Sequence, residues 1–128
     1  MDVLVKRASN KVAQNISIGK HRLIADVPVA MGGEDQGPEP HDLLAAALGS
    51  CTAMTVTMYA HMKKIELDDI EVRVENGEAD GAYQFTRHIR YFGNLDAATR
   101  DKLTSIANRC PVHRYLSGQI RITTLVEE

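Results

Sequence analysis

The most prominent feature of the hydrophobic pattern is a long apolar stretch between residues 37 and 64. After Asp42, the only ionisable side chains before His61 are those of Cys51 and Tyr59. An uncharged segment of this length predicts a helix that is apolar on nearly every face, and such a helix is normally buried. We therefore expect this helix to form the centre of the fold.

The helix is expected to begin near Pro40, because proline fits the first turn, where its missing N–H group would have no helical partner. Asp42 in that turn interacts favourably with the helix dipole. The residues that fall on one side at spacings of three and four are Leu44, Leu48, Cys51, Thr55 and Met58. We expect that side to pack against the rest of the chain.

Shorter segments with β-branched residues precede the helix. Residues 2–8 and 11–18 predict two strands joined by a turn at Ser9-Asn10, and residues 21–27 predict a third strand. Residues 28–40 contain three glycines, three prolines and three acidic residues. They predict a long irregular loop that covers any site.

A second group of strands follows the helix. Residues 70–74 alternate with charged positions, and residues 83–92 have the same pattern, so we expect a hairpin with its turn within residues 76–82. Asp96 can then cap a helix over residues 97–109. The buried side of that helix is expected to consist of Leu103, Ile106 and Ala107.

The C-terminal part begins with a break at Cys110-Pro111, because proline disfavours helical geometry at the preceding residue. Residues 112–116 predict a short helix, and residues 119–126 predict a closing strand. Helices and strands are segregated along the chain, which predicts an α+β fold with largely antiparallel sheets. A length of 128 residues fits a single domain over residues 1–128.

Size and charge restrict the possible partners. A helix that is apolar all round is hard to bury in so short a chain, so we expect an obligate homodimer around the central helices. The net charge is −2, with acids and bases interspersed, and nucleic-acid binding requires a basic surface that is absent here. The first residues lack the layout of a signal peptide, which favours a cytoplasmic location.

Residues 43–60 carry no charge and reach the length of a membrane span, about 18 residues. The run is rich in alanine and hydroxyl side chains, however, and it lacks the aromatic anchors that flank membrane helices. We therefore expect a core helix and no membrane contact.

Cys51 and Cys110 are the only cysteines. In a reducing compartment such cysteines are more often free, metal-bound or redox-active than joined in a structural disulfide. Burial raises the pKa of a thiol, so a reactive Cys51 needs a nearby cation or hydrogen-bond donor. The candidates are His41, His61, Arg109, His113 and Arg114.

Other interpretations of the two cysteines stay open at this point. Cys110 and His113 have the Cys-x-x-His spacing of half a zinc site, which Cys51 and another histidine would have to complete. Either cysteine can also be a packed structural residue. The residues alone do not decide between a structural, a metal-binding and a reactive thiol.

Two segments resemble the OsmC/Ohr family of thiol-dependent hydroperoxide reductases, namely residues 40–54, PHDLLAAALGSCTAM, and residues 106–116, IANRCPVHRYL. Residues 21–28, HRLIADVP, are similar to the H-R-x-x-x-D-x-P pattern of the OsmC-like branch. The resemblance covers essentially the whole chain. It implies an α+β fold in which antiparallel sheets wrap around long central helices in an intertwined homodimer, with the active sites at the interface.

The resemblance also implies a thiol peroxidase cycle without a cofactor. Cys51 matches the peroxidatic cysteine, which becomes a sulfenic acid, and Cys110 matches the resolving cysteine, which converts it to a disulfide. The implied substrates are organic hydroperoxides, and hydrogen peroxide as well, with an external dithiol as reductant. The implied role is defence against oxidative and osmotic stress.

The family holds its thiolate with an arginine from an N-terminal loop and a glutamate just before the central helix. Here the glutamate position falls on His41, beside Asp42, and no arginine lies between Arg22 and Cys51. Arg22, or Arg7, is therefore the candidate replacement. The alternative function is a non-catalytic dimer of the same fold that binds a small hydrophobic ligand or acts as a thiol sensor.

Overall fold

The computed structural model describes residues 2–128, which form an α+β fold with two antiparallel sheets and three α-helices. This result confirms the predicted fold class. The chain divides into two compact units, residues 1–44 and residues 45–128. The single domain over residues 1–128 stays a prediction.

The first unit contains a three-stranded antiparallel meander, made of β1 (Val3–Arg7), β2 (Gln14–Ile18) and β3 (His21–Ala25). The three predicted strands are confirmed, but β2 begins later than residue 11. The Ser9 hydroxyl accepts a hydrogen bond from the Lys11 N–H at 3.1 Å, and the Ala8 N–H donates to the Ala13 carbonyl at 2.9 Å. These bonds close a loop whose residues cannot join the strand ladder.

The loop after β3 is organised around the carboxylate of Asp26, which is only 3% exposed. It accepts hydrogen bonds from the backbone N–H groups of Val27, Glu34 and Gln36 at 2.8, 3.2 and 3.1 Å. A Cβ atom at Gly33 would lie 2.1 Å from the Val27 carbonyl oxygen, so this close approach requires glycine. The predicted irregular segment is therefore a defined loop, and it includes a short 3₁₀ helix, Val29–Met31.

Helix α1 (Pro40–Lys63) begins at Pro40, as predicted, at the end of the first unit, and most of it belongs to the second. Its buried residues are Ala45, Leu48, Gly49, Thr52, Val56 and Ala60. A Cβ atom at Gly49 would lie 3.2 Å from a methyl group of Val74, which shows how closely the helix backbone approaches the following sheet. Small side chains therefore define the buried face.

The predicted buried side of α1 is wrong in most of its members. Of the five residues expected there, only Leu48 is buried, while Leu44 and Met58 are 47% and 67% exposed. Met54 and Met62 are also exposed, at 62% and 68%. Leu44 and the methionines are exposed, whereas most of the buried residues of α1 are small. Within this single chain, the helix is therefore not buried all round.

By length and composition, α1 is the one helix among residues 2–128 that could cross a bilayer, with 33% of its most apolar stretch buried. Core helices of soluble proteins have the same length and composition. This property of α1 therefore assigns no membrane location.

The second sheet is a long hairpin of β4 (Asp69–Ala79) and β5 (Ala82–Phe92). The hairpin is confirmed, but its strands extend further and its turn is shorter than predicted. Asp80 and Gly81 alone form the turn, with φ angles of 52° and 77°. Positive φ at both central residues is typical of the tight turns that Asp-Gly favours in hairpins.

Helix α2 (Ala97–Ala107) begins as predicted, with the Asp96 carboxylate accepting the Thr99 N–H at 2.8 Å. Its buried residues are Leu103, Ile106 and Ala107, which confirms the predicted side. Leu103 and Ala107 form a fully buried core together with Val56 of α1. The short helix α3 (Pro111–Ser117) follows the predicted break at Cys110-Pro111.

The predicted closing strand over residues 119–126 is wrong. Residues 119–128 adopt neither helix nor strand, and Ile122 and Val126 are 87% and 92% exposed. The alternating pattern is typical of a strand, but a strand needs a neighbour to accept its backbone hydrogen bonds. Among residues 2–128, no strand pairs with this segment.

Replacing Asp26 with asparagine is expected to destabilise the loop of the first unit. An asparagine side chain has only one acceptor oxygen, so it cannot receive all three N–H groups. We expect the D26N variant to unfold several degrees below the wild type in a thermal melt at neutral pH. An equal melting temperature would show that the carboxylate does not hold the loop.

The same substitution is expected to change the acid stability. Burial by itself raises the pKa of Asp26, but the bonds from Val27, Gln36 and Glu34 lower the pKa below its usual value. A carboxyl whose pKa is lowered by folding contributes stability above its unfolded pKa and loses it as the pH falls through the folded pKa. Urea melts in this acid range should therefore show a flatter pH dependence for D26N than for the wild type.

Candidate functional site

The structure brings the two cysteines together. Cys51 lies in the middle of α1 and is partly exposed, whereas Cys110 precedes α3 and is fully buried. Both are free thiols, and they lie close enough for each to shift the pKa of the other. Two thiols this close can exchange a proton and can form a disulfide on oxidation.

The position of Cys110 follows from the local sequence. Helix α2 ends at Ala107, and Pro111 starts α3 because its fixed φ suits the first helical position. Cys110 is thereby placed at the N-cap of α3, where its Sγ accepts the His113 backbone N–H at 3.5 Å. The sulfur occupies the position that a serine or aspartate oxygen often takes.

The surroundings shift the pKa values of the two thiols in opposite directions. Burial by itself raises the pKa of Cys110, but hydrogen bonds from Cys51, the His113 N–H, the Thr52 side chain and the Val112 N–H together lower that pKa. Burial raises the pKa of Cys51, and the neighbouring Cys110 raises it further. The hydrogen bonds prevail over burial at Cys110, and burial prevails at Cys51.

Arg87 of β5 is the residue of this site that the sequence did not reveal. Its Nη1 donates to Thr52 Oγ1 at 3.0 Å and to the Ala107 carbonyl at 3.2 Å. Its Nη2 donates to Asn108 Oδ1 at 2.8 Å and contacts His113 Nδ1 at 2.8 Å. One guanidinium group therefore connects α1, the end of α2 and α3.

A signal for Arg87 was present in the sequence. In β5, the more buried positions alternate and include Phe85, Ile89 and Tyr91. Arg87 occupies the same face, and a cation on the apolar side of an alternating strand is unusual enough to mark a site.

The imidazole of His113 is held in its neutral form. Arginine has only donors, so His113 Nδ1 must accept the hydrogen bond and its proton resides on Nε2. Burial lowers the pKa of His113, and the positive charge of Arg87 lowers it further. His113 therefore contributes its backbone N–H to Cys110 and its ring to Arg87.

A cavity of about 440 Å³ adjoins this cluster. Its lining residues combine apolar side chains with the basic pair, and they are Leu48, Tyr83, Phe85, Thr86, Arg87, His113, Leu116 and Ser117. Such a lining suits a small organic molecule with a polar group, because apolar walls bind its body and a few polar groups orient it.

Most of the other expected neighbours of Cys51 do not bond to either thiol among the described residues. Among the candidates within residues 45–128, His113 is the one that bonds to the pair, through its backbone N–H. The guanidinium of Arg114 lies 5.8 Å from the ring of Tyr115. For His61 and Arg109, the described residues show no hydrogen bond to either sulfur.

The expected supporting residues Arg22, His41 and Asp42 belong to the first unit. Arg22 Nη1 donates to the carbonyls of Gly19 and His21 at 2.9 and 3.1 Å. The His41 ring lies 3.6 Å from the Glu39 carboxylate, and Asp42 lies in the first turn of α1. Their support of Cys51 stays a prediction.

The described residues do not assemble the possible zinc site around Cys110 and His113. Cys110 and His113 are joined by a capping hydrogen bond, and the His113 ring faces the cation of Arg87. Among residues 2–128, the one group of potential ligand atoms within 4.8 Å of each other consists of Glu39, His41 and Asp42. It contains neither cysteine.

Comparisons with known proteins agree with this architecture. The sequence model of the family described as OsmC-like protein matches residues 33–125. No curated protein matches the chain.

Several solved structures have the same fold. An OsmC-like protein from Mycoplasma pneumoniae is 17% identical, with a TM-score of 0.77, and the match covers 91% of this chain and 86% of that one. The organic hydroperoxide resistance protein OsmC from Legionella pneumophila is 21% identical, with a TM-score of 0.67 and coverage of 92% and 90%. The organic hydroperoxide resistance protein OhrB of Bacillus subtilis is 21% identical, with a TM-score of 0.62 and coverage of 92% for both chains.

At these identities, the structural likeness shows the fold. The family model spans most of the chain, including both cysteines and Arg87. The chain belongs to the OsmC-like protein family.

Proposed function

We propose that the protein is a thiol peroxidase that reduces organic hydroperoxides, and hydrogen peroxide as well, through Cys51 and Cys110. The observation that carries this proposal is the proximity of two free thiols that are distant in the sequence, each of which shifts the pKa of the other. Thiols this close within a reducing compartment are suited to reversible oxidation rather than to permanent cross-linking.

The proposed cycle begins with transfer of the Cys51 proton to a base, followed by attack of the thiolate on the peroxide oxygen. The O–O bond breaks, Cys51 keeps the attacked OH oxygen and becomes a sulfenic acid, and the leaving alkoxide takes the proton from the base and departs as the alcohol. Cys110 then attacks the Cys51 sulfur, releasing water and forming a disulfide. An external dithiol reduces this disulfide by exchange and restores both thiols.

The assignment of roles rests on exposure. Cys51 is partly exposed and Cys110 is fully buried, so a peroxide from solution meets Cys51 first. The pKa shifts support the same assignment of roles. The pKa of Cys110 is lowered, so its thiolate can accept the proton of Cys51 as Cys51 attacks. Cys110 therefore acts first as the proton acceptor and then as the resolving thiol.

The substrate class is supported by the adjoining cavity and by the fold. The cavity has apolar walls from Leu48, Phe85 and Leu116, which would bind the organic part of a hydroperoxide. The proteins of the same fold from Legionella pneumophila and Bacillus subtilis are named for organic hydroperoxide resistance. We propose the same stress-related role for this chain, in the reducing cytoplasm, where dithiol reductants are available.

We also propose that the protein works as a homodimer. Met54, Met58 and Met62 form a stripe of exposed side chains at intervals of four residues along α1, 62–68% exposed. The C-terminal segment exposes Ile120, Ile122 and Val126 as well. A second copy of the chain would cover these apolar surfaces and could supply a strand partner for residues 119–126.

One observation favours the alternative, a ligand-binding dimer or a thiol sensor. Burial raises the pKa of Cys51, which lowers the fraction of the reactive thiolate at neutral pH. A steady-state assay with peroxide and a dithiol separates the two functions, because a binder or sensor sustains no turnover.

Replacing Cys51 is expected to abolish attack on the peroxide, whereas replacing Cys110 is expected to block disulfide formation. Cys51→Ser should lower peroxide turnover by more than about 10³-fold, because the nucleophile is lost. Cys110→Ser should still form one sulfenic acid per subunit, trapped with a sulfenic-acid reagent and counted by mass spectrometry. Ser50→Ala is a suitable control, since the Ser50 hydroxyl only bonds back to its own helix at 2.7 Å.

In the wild type, peroxide should convert two thiols into one intramolecular disulfide, visible by non-reducing mass spectrometry. If Cys51 and Cys110 stay reduced in excess peroxide, the proposed cycle is wrong. Equal turnover of the two single variants would contradict the assignment of their roles.

A charge on the exposed stripe of α1 is expected to weaken the dimer. Met58→Glu should raise the dissociation constant at least about tenfold, because it places a carboxylate in an apolar interface. Met58→Leu keeps the volume and the apolar character and should leave the dimer intact. Sedimentation of the wild type as a stable monomer at micromolar concentration would overturn the proposed assembly.

A further inference from the structure

No carboxylate among the described residues balances the positive charge of Arg87. All of its hydrogen bonds go to neutral acceptors, namely a hydroxyl, a carbonyl, an amide and an imidazole. Among residues 2–128, no acidic side chain forms an ion pair with it. A partly buried cation is normally paired with an anion, since its desolvation is otherwise costly.

The groups that Arg87 binds all lie within three residues of a cysteine in the sequence. Thr52 directly follows Cys51, Asn108 comes two residues before Cys110, and His113 belongs to the turn that caps Cys110. The guanidinium group thereby fixes the segments on both sides of the thiol pair. A fork of donors in a rigid plane is suited to this task.

Two of these groups also act on the Cys110 sulfur. The His113 backbone N–H donates to Cys110 Sγ at 3.5 Å, and the Thr52 side chain lies close enough to lower the pKa of Cys110. Thr52 Oγ1 donates its one proton to the Leu48 carbonyl at 2.7 Å, and turning this O–H group would direct the proton to the sulfur. Because Thr52 accepts a bond from the Arg87 cation, its O–H becomes a stronger donor.

We propose that Arg87 is a positioning residue that holds Thr52, Asn108 and His113 together and supplies the positive charge that stabilises the thiolate of the Cys51–Cys110 pair. It acts through Thr52 and His113, with no direct bond to either sulfur among those that the described residues show. Through these two residues, the positive charge of Arg87 favours the charged form of the thiol pair. In the proposed peroxidase, Arg87 favours the thiolate of Cys110, which accepts the proton of the nucleophile Cys51, and only this consequence rests on the proposed function.

The experiment is a pH titration of the thiolate by its ultraviolet absorbance, with the reduced full-length chain and no peroxide. The variants are Arg87→Gln, which removes the charge, and Arg87→Lys, which keeps the charge but loses the fork. Arg90→Gln is the matched control, since Arg90 is exposed on the same strand. The titratable groups of the cluster are the two thiols and His113.

Arg87→Gln is expected to lower the amount of thiolate near neutral pH about tenfold, which corresponds to a rise of roughly one pH unit in the titration. Arg87→Lys should stay within about threefold of the wild type in this titration, because an ammonium group retains the charge. Its disulfide formation after peroxide should nevertheless be slower, because the segments around the cysteines are no longer fixed. Arg90→Gln should behave as the wild type in both measurements.

An unchanged titration in Arg87→Gln would overturn the inference. Equal shifts in Arg87→Gln and Arg87→Lys would also overturn it, because they would show a packing effect without a role for charge. If Arg87→Gln does not fold, Thr52→Val tests the same connection. Valine matches the buried threonine in shape but removes the hydroxyl, so the thiolate should again decrease several-fold, and no decrease would contradict the inference.

These outcomes are separate from those of the peroxidase assay. The titration needs no substrate, so an inactive protein with a shifted Arg87→Gln titration would refute only the proposed function. An active protein with an unshifted titration would refute only the role of Arg87.

Discussion

The guanidinium group of Arg87 joins three parts of the second unit that are far apart in the sequence. It binds Thr52 on α1, Asn108 after α2 and His113 on α3. Because each of these residues is a close sequence neighbour of a cysteine, the relative position of the two thiols depends on this one side chain. Only arginine offers several donors in one rigid plane, so lysine could satisfy no more than part of the network.

The same cluster shifts the pKa values of the two thiols in opposite directions. Burial disfavours a thiolate at both cysteines, but the helix cap and Thr52 lower the pKa of Cys110, whereas the neighbouring Cys110 raises the pKa of Cys51. Hydrogen bonding therefore outweighs burial at Cys110, and burial prevails at Cys51. In the proposed cycle, this difference in pKa lets the buried sulfur of Cys110 accept the proton of the exposed Cys51 thiol.

Apolar surface is distributed unevenly around α1. The small residues Ala45, Gly49 and Ala60 face the chain's own core, and methionines occupy the exposed side. Close helix–sheet packing selects small side chains, while flexible thioethers suit a surface that has to adapt to a partner. The proposed homodimer accounts for both halves of this pattern, since each face of the helix then has its own packing partner.

Local signals in the sequence determined much of the fold. Three helix boundaries depend on the backbone of a few neighbouring residues, at Pro40, at the Asp96 cap and at the Cys110-Pro111 break. The alternating segments before and after α1 specified the strands of the two sheets. The two cysteine segments were also sufficient to indicate the family. The tight turn at Asp80-Gly81 was readable in the same way, although a longer turn was expected.

Only the tertiary structure decided which side of α1 is buried, how the thiols meet and where their cation comes from. The buried face of α1 depends on the distance to the β4–β5 sheet, and a nearly all-apolar helix carries no pattern that reveals it. Arg87 is distant from both cysteines in the sequence, so its contacts exist only after α1, β5 and α3 have packed together. Residues 119–126 have the alternation of a strand but no pairing neighbour, because strand formation depends on a hydrogen-bonding partner that the segment itself cannot provide.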